Sequence, residues 1–242
     1  MPQFFVPPEQ IQNDTATLQG EEAHHLVRAL RYRIGDHVWF SDGKGKQYEG
    51  KILTATQHQV TLKILQTRHL PERLKSPTLA MALLKQDRWE LAVQKVIELG
   101  CHHIIPFTSS RTIPHYEEES IEKKLNRWNK IALEAAKQSG LPVQPTIDPP
   151  IAWQHLLAQI KQYDRVVMPW EEEKEITLRE TLPKLSANTL LIIGPEGGFA
   201  SEEALQAKTL GVTLVSLGDQ ILRAETASIV TFTLVQYALK NI

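Results

Sequence analysis

Ten residues, Leu190-Leu191-Ile192-Ile193-Gly194-Pro195-Glu196-Gly197-Gly198-Phe199, restrict the possible folds more than any other stretch of this chain. Four aliphatic side chains in a row suit a strand buried on both faces, as in a parallel sheet covered by helices. The run stops at Gly-Pro, and Gly-Gly follows. Glycine accepts dihedrals closed to other residues and lets a ligand touch backbone. Ser201 then reads as a helix N-cap, with Glu202 and Glu203 in a first turn where the macrodipole favours carboxylates. Strand, glycine loop, helix is the arrangement that puts a ligand at the carboxyl end of a parallel sheet. Neither the Lys-Ser/Thr of a P-loop nor the dinucleotide spacing is present. Taken alone, Gly-Pro or Gly-Gly also fits a plain tight turn.

A second unit of the same design lies downstream. Residues 212–217 read as a strand, Gly218 as its turn, and the chain from Arg223-Ala224-Glu225-Thr226-Ala227 to about residue 240 as a helix. Glu225 suits a helix first turn electrostatically, whereas a cation beside a helix N-terminus does not. Arg223 therefore calls for an anion, either an intrachain carboxylate such as Glu196 or a phosphate.

The rest of the chain divides by its grain. Residues 4–6, 37–40, 48–53 and 59–65 read as short strands, with a hairpin signal at Asp42-Gly43 and Gly45 and one helix over residues 21–30. Many short strands and one helix suggest a small barrel. Arg28, Arg31, Arg33, Lys44 and Lys46 fall on the helix, its exit and the hairpin tip, and guanidinium groups match phosphate oxygens. The nearby acids Glu21, Glu22, Asp36 and Asp42 nearly cancel them, which is the pattern of an ordinary solvated surface. Residues 67–77 are polar, contain Pro71 and Pro77, and read as a linker. Strands at 78–84, 104–107, 165–168 and 190–193 then alternate with helices, one capped by Asp87 and closed by Gly100, one over residues 118–138. That alternation implies a parallel sheet with helices on both sides. The acidic runs at residues 117–119 and 171–173 read as solvated faces.

Composition excludes several classes. With 242 residues the chain can bury an ample core, and its net charge of −1 exerts no global pull on nucleic acid or membrane. A single cysteine, Cys101, forbids an internal disulfide and suits a reducing compartment. The start at Met1 shows no signal-peptide pattern, and no apolar run approaches ~18 residues, so a soluble cytoplasmic protein without membrane contact is expected. His24-His25 and His102-His103 are adjacent pairs without zinc-ligand spacing, so no metal is expected.

The order Gln94-Lys95, Glu98-Leu99-Gly100, Pro106, Arg111, Trp128, Glu134-Ala135, Gln138-Ser139, then GPEGGF at 194–199 and LGxxILRxETA at 217–227, resembles the 16S ribosomal RNA uridine-N3 methyltransferase family (RsmE). These are S-adenosylmethionine-dependent enzymes of the SPOUT class. The likeness spans nearly the whole chain, with His24-His25-Leu26, Leu30-Arg31 and Asp42-Gly43 at the front. GPEGG alone also occurs in sister SPOUT families; joined to ILRxETA it is specific. The resemblance implies an RNA-binding PUA-like β-barrel over residues 1–72. It also implies an α/β SPOUT methyltransferase domain over residues 73–242, trefoil-knotted and used as a homodimer through that domain. Nothing in periodicity points to a knot, and general topology rules disfavour one.

By the same resemblance, S-adenosylmethionine is held by Pro169 and Trp170, by Gly194, Pro195, Glu196, Gly197 and Gly198, by Leu217, Gly218, Ile221 and Leu222, and by Thr226 and Ala227. Arg223, Glu225 and Glu196 are the catalytic candidates, with either carboxylate available as a base. RNA of the small ribosomal subunit would meet Arg28, Arg31, Arg33, Lys44, Lys46, Arg88 and Arg111. Two departures stand out: Leu141 and Gln220 occupy positions where the family usually has arginine. A SPOUT enzyme with another RNA target and a non-catalytic RNA-binding relative are the alternatives. A dinucleotide-binding Rossmann enzyme fits poorly, because Lys85-Gln86-Asp87-Arg88 stands where its glycine loop would be.

Overall fold

The computed structural model describes residues 3–69, 76–114 and 118–242. The expected boundary at 72/73, Pro71 of the linker and Glu117 of the first acidic run lie outside the described residues. Two units make up the chain: Met1–Glu72 with Ala136–Gln144, and Arg73–Ala135 with Pro145–Ile242.

The first unit is a six-stranded sheet in the order β1-β4-β5-β6-β3-β2. Its strands are β1 (Phe4–Phe5), β2 (Ile11–Gln12), β3 (Thr15–Gln19), β4 (His37–Ser41), β5 (Lys46–Ala55) and β6 (Gln59–His69), with α1 at Gly20–His24. All pairings are antiparallel except β1 with β4. Alternation drives the buried face: Val38 and Phe40, Tyr48 and Ile52, Val60 and Leu62 point inward with Phe4, Leu18 and Leu26. The β4–β5 hairpin turns at Asp42, whose carboxylate accepts the amides of Lys44 and Lys46. Strands β2 and β3 were not expected; Thr15-Ala16-Thr17-Leu18 is too short to declare itself and becomes a strand by pairing with β6. The expected helix at 21–30 is α1 followed by a wide turn at His25–Ala29, where Leu30 N–H bonds His25 O. Leu141 is buried in this unit and its carbonyl accepts from Gln3, so an apolar side chain suits the position.

The second unit is a parallel sheet in the order β10-β8-β7-β12-β11-β13, with β9 beside β8. Its strands are β7 (Thr78–Ala82), β8 (His103–Thr108), β9 (Thr146–Ile147), β10 (Ile151–Ala152), β11 (Arg165–Pro169), β12 (Thr189–Ile193) and β13 (Thr213–Val215). Helices α2 (Gln86–Glu98), α3 (Glu118–Ser139), α4 (Trp153–Gln159), α5 (Leu178–Thr181), α6 (Ser201–Thr209) and α7 (Ala224–Ala238) connect or follow them. One face buries Ala80, Ala82, Met168, Leu190 and Ile192 under Trp153, Leu156, Ala204 and Ala207 of α4 and α6. On the other, Ser228 of α7 reaches Met81 Sδ at 3.2 Å, and α2 packs on α7. All five residues of β12 are buried, as its aliphatic run requires. Gly100 ends α2 with φ +95°, while Cys101 N–H bonds Val96 O and Gly100 N–H bonds Ile97 O, satisfying carbonyls the helix would leave bare.

Two expected caps are corrected. Helix α2 begins at Gln86 without a side-chain cap, and Asp87 sits inside its first turn. Ala200, not Ser201, is the N-cap of α6, and the Glu203 carboxylate reaches back to Ala200 N–H at 3.0 Å. Among the described residues no helix is long and apolar enough to cross a membrane.

Candidate functional site

Strands β12, β11 and β13 are direct neighbours, so the loops leaving their carboxyl ends open side by side. They enclose a cavity of about 260 Å³. Its walls include Pro169 and Trp170 from the first loop, Gly194 to Gly198 from the second, and Leu217, Gly218, Ile221 and Leu222 from the third. Ala227 of α7 closes one side. The two glycine-bent strand ends therefore meet in one space, and every expected cofactor-binding residue except Thr226 borders it. Thr226 is exposed on α7.

Each glycine in the second loop answers a particular constraint. A Cβ on Gly194 would stand 2.8 Å from the ring of Phe199, which is buried and stacks on Phe107. Gly198 has φ +67°, and a Cβ there would fall 2.1 Å from Glu171 Oε1. Only glycine fits both positions without displacing a neighbour. Arg111 donates from Nη1 to Gly197 O at 3.1 Å and steadies the same loop. Gly218 has φ +120° with open space beside it, so its constraint is conformational alone.

Charge is arranged around Glu196. Arg88 of α2 donates to Glu196 Oε1 at 2.9 Å, and its Nε stands 3.9 Å from Glu225 Oε1. One guanidinium thus lies between both candidate carboxylates. Glu196 Oε2 and Glu225 Oε2 are buried without hydrogen-bond partners among the described residues, as is Trp170 Nε1. An unpaired buried donor or acceptor costs roughly 1–3 kcal/mol, so these atoms mark where a polar ligand is wanted. Of the three catalytic candidates, Glu196 borders the cavity. Glu225 is buried in the first turn of α7, and Arg223 is that helix's exposed N-cap. Arg223 has no side-chain partner among the described residues, and of the two anions open to it Glu196 is held by Arg88 instead.

Among the polar wall residues, sequence reasoning missed Glu171, Lys174 and Ser216, while Asp219 and Gln220 fall inside the expected loop between Gly218 and Ile221. The acidic run at 171–173 was expected to be a solvated face. Glu171 and Glu172 are exposed as expected, but Glu173 is buried, and its carboxylate accepts the amides of Glu175 and Ile176, which lowers its pKa. The expected phosphate-binding cations Arg28, Arg31, Arg33, Lys44 and Lys46 are all exposed on the first unit, three at the α1 exit and two at the hairpin tip. Arg88 and Arg111, by contrast, are engaged with the glycine loop and its carboxylate.

Comparison with known proteins agrees with this geometry. A family described as an RNA methyltransferase domain matches residues 71–236, and an RNA methyltransferase PUA domain matches residues 18–65. The ribosomal RNA small subunit methyltransferase E of Bacillus subtilis is 30% identical over 234 residues, covering 92% of this chain and 90% of that protein. The protein of the same name from Synechocystis is 31% identical, covering 98% of this chain and 78% of its own length. A crystal structure of ribosomal RNA small subunit methyltransferase E from Neisseria gonorrhoeae, bound to S-adenosyl methionine, superposes with a TM-score of 0.84 at 27% identity, covering 98% of this chain and 97% of that one.

Proposed function

The chain belongs to the ribosomal RNA small subunit methyltransferase E family, and from that premise we propose that it methylates N3 of a uridine in 16S ribosomal RNA, using S-adenosylmethionine. The observation that carries the proposal is the meeting of the Gly194–Gly198 and Leu217–Leu222 loops around one cavity lined by buried, unpartnered polar atoms.

The residues fit such a donor. Glycines 194, 197, 198 and 218 let main-chain groups approach a ligand closely. Trp170 Nε1 offers a donor, and Glu196 Oε2 an acceptor, that the fold leaves free. When bound, S-adenosylmethionine supplies an electrophilic methyl group on a sulfonium. The protein's work is then to position the base and manage charge. Glu196 takes the role of proton acceptor, because it borders the cavity and its Oε2 is unclaimed while Oε1 is held by Arg88. Glu225, held in the same guanidinium's reach, keeps Arg88 in place. Arg223, exposed at the α7 N-terminus and without a side-chain partner among the described residues, meets the anionic substrate, either the developing charge on the base or an adjacent phosphate.

The PUA-like RNA-binding role falls to residues 1–72 together with Ala136–Gln144 of the same unit, and the SPOUT methyltransferase role to the remainder of 73–242. Arg28, Arg31, Arg33, Lys44 and Lys46 supply phosphate contacts, while Arg88 and Arg111 act mainly on the glycine loop. The resemblance also carries a trefoil knot and a homodimer through the C-terminal domain; exposed Ile221, Leu234 and Tyr237 suit a partner's cover. A cytoplasmic location follows from the substrate.

The test is methylation of small ribosomal subunits from a strain lacking the modification, with labelled S-adenosylmethionine and mapping of the product. Label on N3 of a single uridine is expected. Label on a ribose, on another base, or nowhere would overturn the proposal.

A further inference from the structure

The cavity wall carries an uneven set of charges. Glu171, Glu196 and Asp219 contribute carboxylates, and Lys174 is the only basic side chain among the lining residues. Glu196 is already occupied at Oε1 by Arg88, and Arg88, Arg111 and Arg223 are not part of the wall. A zwitterionic ligand placed here finds several anionic acceptors for its ammonium but one cationic partner for its carboxylate among the lining residues.

Lys174 is also unusually well placed for a side chain on a loop. Trp170 N–H bonds Val215 O at 3.0 Å, and Glu173 N–H bonds Trp170 O at 3.2 Å, fixing the start of the loop against β13. The Glu173 carboxylate accepts Glu175 N–H at 2.8 Å and Ile176 N–H at 3.2 Å, which folds the backbone tightly around Lys174. Ser216 N–H bonds Ile176 O at 2.7 Å, and Leu178 N–H bonds Ser216 O at 3.0 Å, fixing the far end. Thr177 and Glu180 then cap the N-terminus of the following α5 with a reciprocal capping box. The loop backbone is therefore braced on both sides and sets Lys174, an exposed residue, at the cavity rim, while its side chain keeps its own rotamers. Preorganisation of this kind lowers the ordering cost of a contact.

We propose that Lys174 receives the methionyl carboxylate of S-adenosylmethionine, so that the rim reads the amino-acid end of the donor while the glycine loops hold its nucleoside end. Glu171 and Asp219 stand on the same wall as acceptors for the adjacent ammonium. The inference rests on the methyl-donor reading of the cavity and adds a determinant of ligand choice to it.

Calorimetry with two ligands that differ only in the carboxylate tests it: S-adenosylmethionine and its decarboxylated form, each titrated into the wild-type protein and into Lys174→Met. The wild type should prefer the carboxylated ligand by about tenfold, the scale of a charge-assisted hydrogen bond at a partly exposed site. In Lys174→Met that preference should shrink to within roughly twofold, while the decarboxylated ligand, a dication relieved of a neighbouring cation, binds at least as tightly as in the wild type and an unchanged melting curve checks folding. A preference that survives the substitution, or is absent from the wild type, overturns the role of Lys174. Failure of the wild type to bind either ligand instead removes the methyl-donor reading, and this inference with it.

Discussion

Arg88 Nη1 and Glu196 Oε1 meet at 2.9 Å across 108 residues of sequence, joining the first helix of the parallel-sheet unit to its glycine loop. The Glu196 side chain is 12% exposed and that of Arg88 39%, so the pair is half-sheltered from water. Removing the cation leaves two carboxylates, those of Glu196 and Glu225, near each other and uncompensated. Arg88→Met should therefore cost about 1–2 kcal/mol, between the values for surface and fully buried pairs, and lower Tm by several degrees. It should also weaken donor binding. Unchanged melting and unchanged affinity would show that the contact contributes nothing.

Gly194→Ala should act through crowding. The added methyl would meet the Phe199 ring at 2.8 Å, and Phe199 is packed between Phe107 and Trp153. Overpacking of this kind costs roughly 1–3 kcal/mol, and the shifted loop should bind S-adenosylmethionine at least about tenfold more weakly. Gly218→Ala has open space and only an unfavourable φ of +120°, so a smaller loss of about 1 kcal/mol is expected. Equal effects at the two sites, measured by denaturant unfolding, would refute the steric account.

For Arg223→Ala the expectation is a dissociation of stability from activity. Its side chain is exposed and has no partner among the described residues, so unfolding free energy should move by less than about 0.5 kcal/mol. Methyl transfer to small subunits should fall by roughly a hundredfold or more, the scale for loss of a preorganised charge contact. Full transfer activity in a folded variant would exclude the residue from the reaction.

Acid sensitivity should trace partly to His102. Burial pushes its pKa from 6.5 down to about 4, and its Nε2 has no partner among the described residues. Between those two values the unfolded chain binds the extra proton, so this contribution to stability is whole above pH 6.5 and is lost as pH falls toward 4. The slope can reach about 1.4 kcal/mol per pH unit. Melting curves over that window should fall more steeply for the wild type than for His102→Gln; parallel curves would contradict this assignment.

What could be read in advance followed from local rules. The aliphatic run at 190–193 and the glycines at 194, 197, 198 and 218 announced two strand ends bent for a ligand, because burial and backbone freedom are written in single residue types. The pairing of β12, β11 and β13 as neighbours was not written there, since strand order depends on the whole sheet. Arg88 lies 108 residues from Glu196, and no local pattern marks such a partnership. Glu173 looked like part of a solvated acidic run because its partners are backbone amides, which composition does not reveal. Leu141 is buried, and an apolar side chain suits that environment.

Titration of the purified wild-type protein with S-adenosylmethionine by calorimetry tests the shared cradle most directly. One equivalent per chain should bind with a Kd in roughly the micromolar range typical of metabolite sites, and Gly194→Ala should weaken it. No heat, together with no thermal shift on adding the ligand, would contradict the central claim that the Gly194–Gly198 and Leu217–Leu222 loops hold a methyl donor.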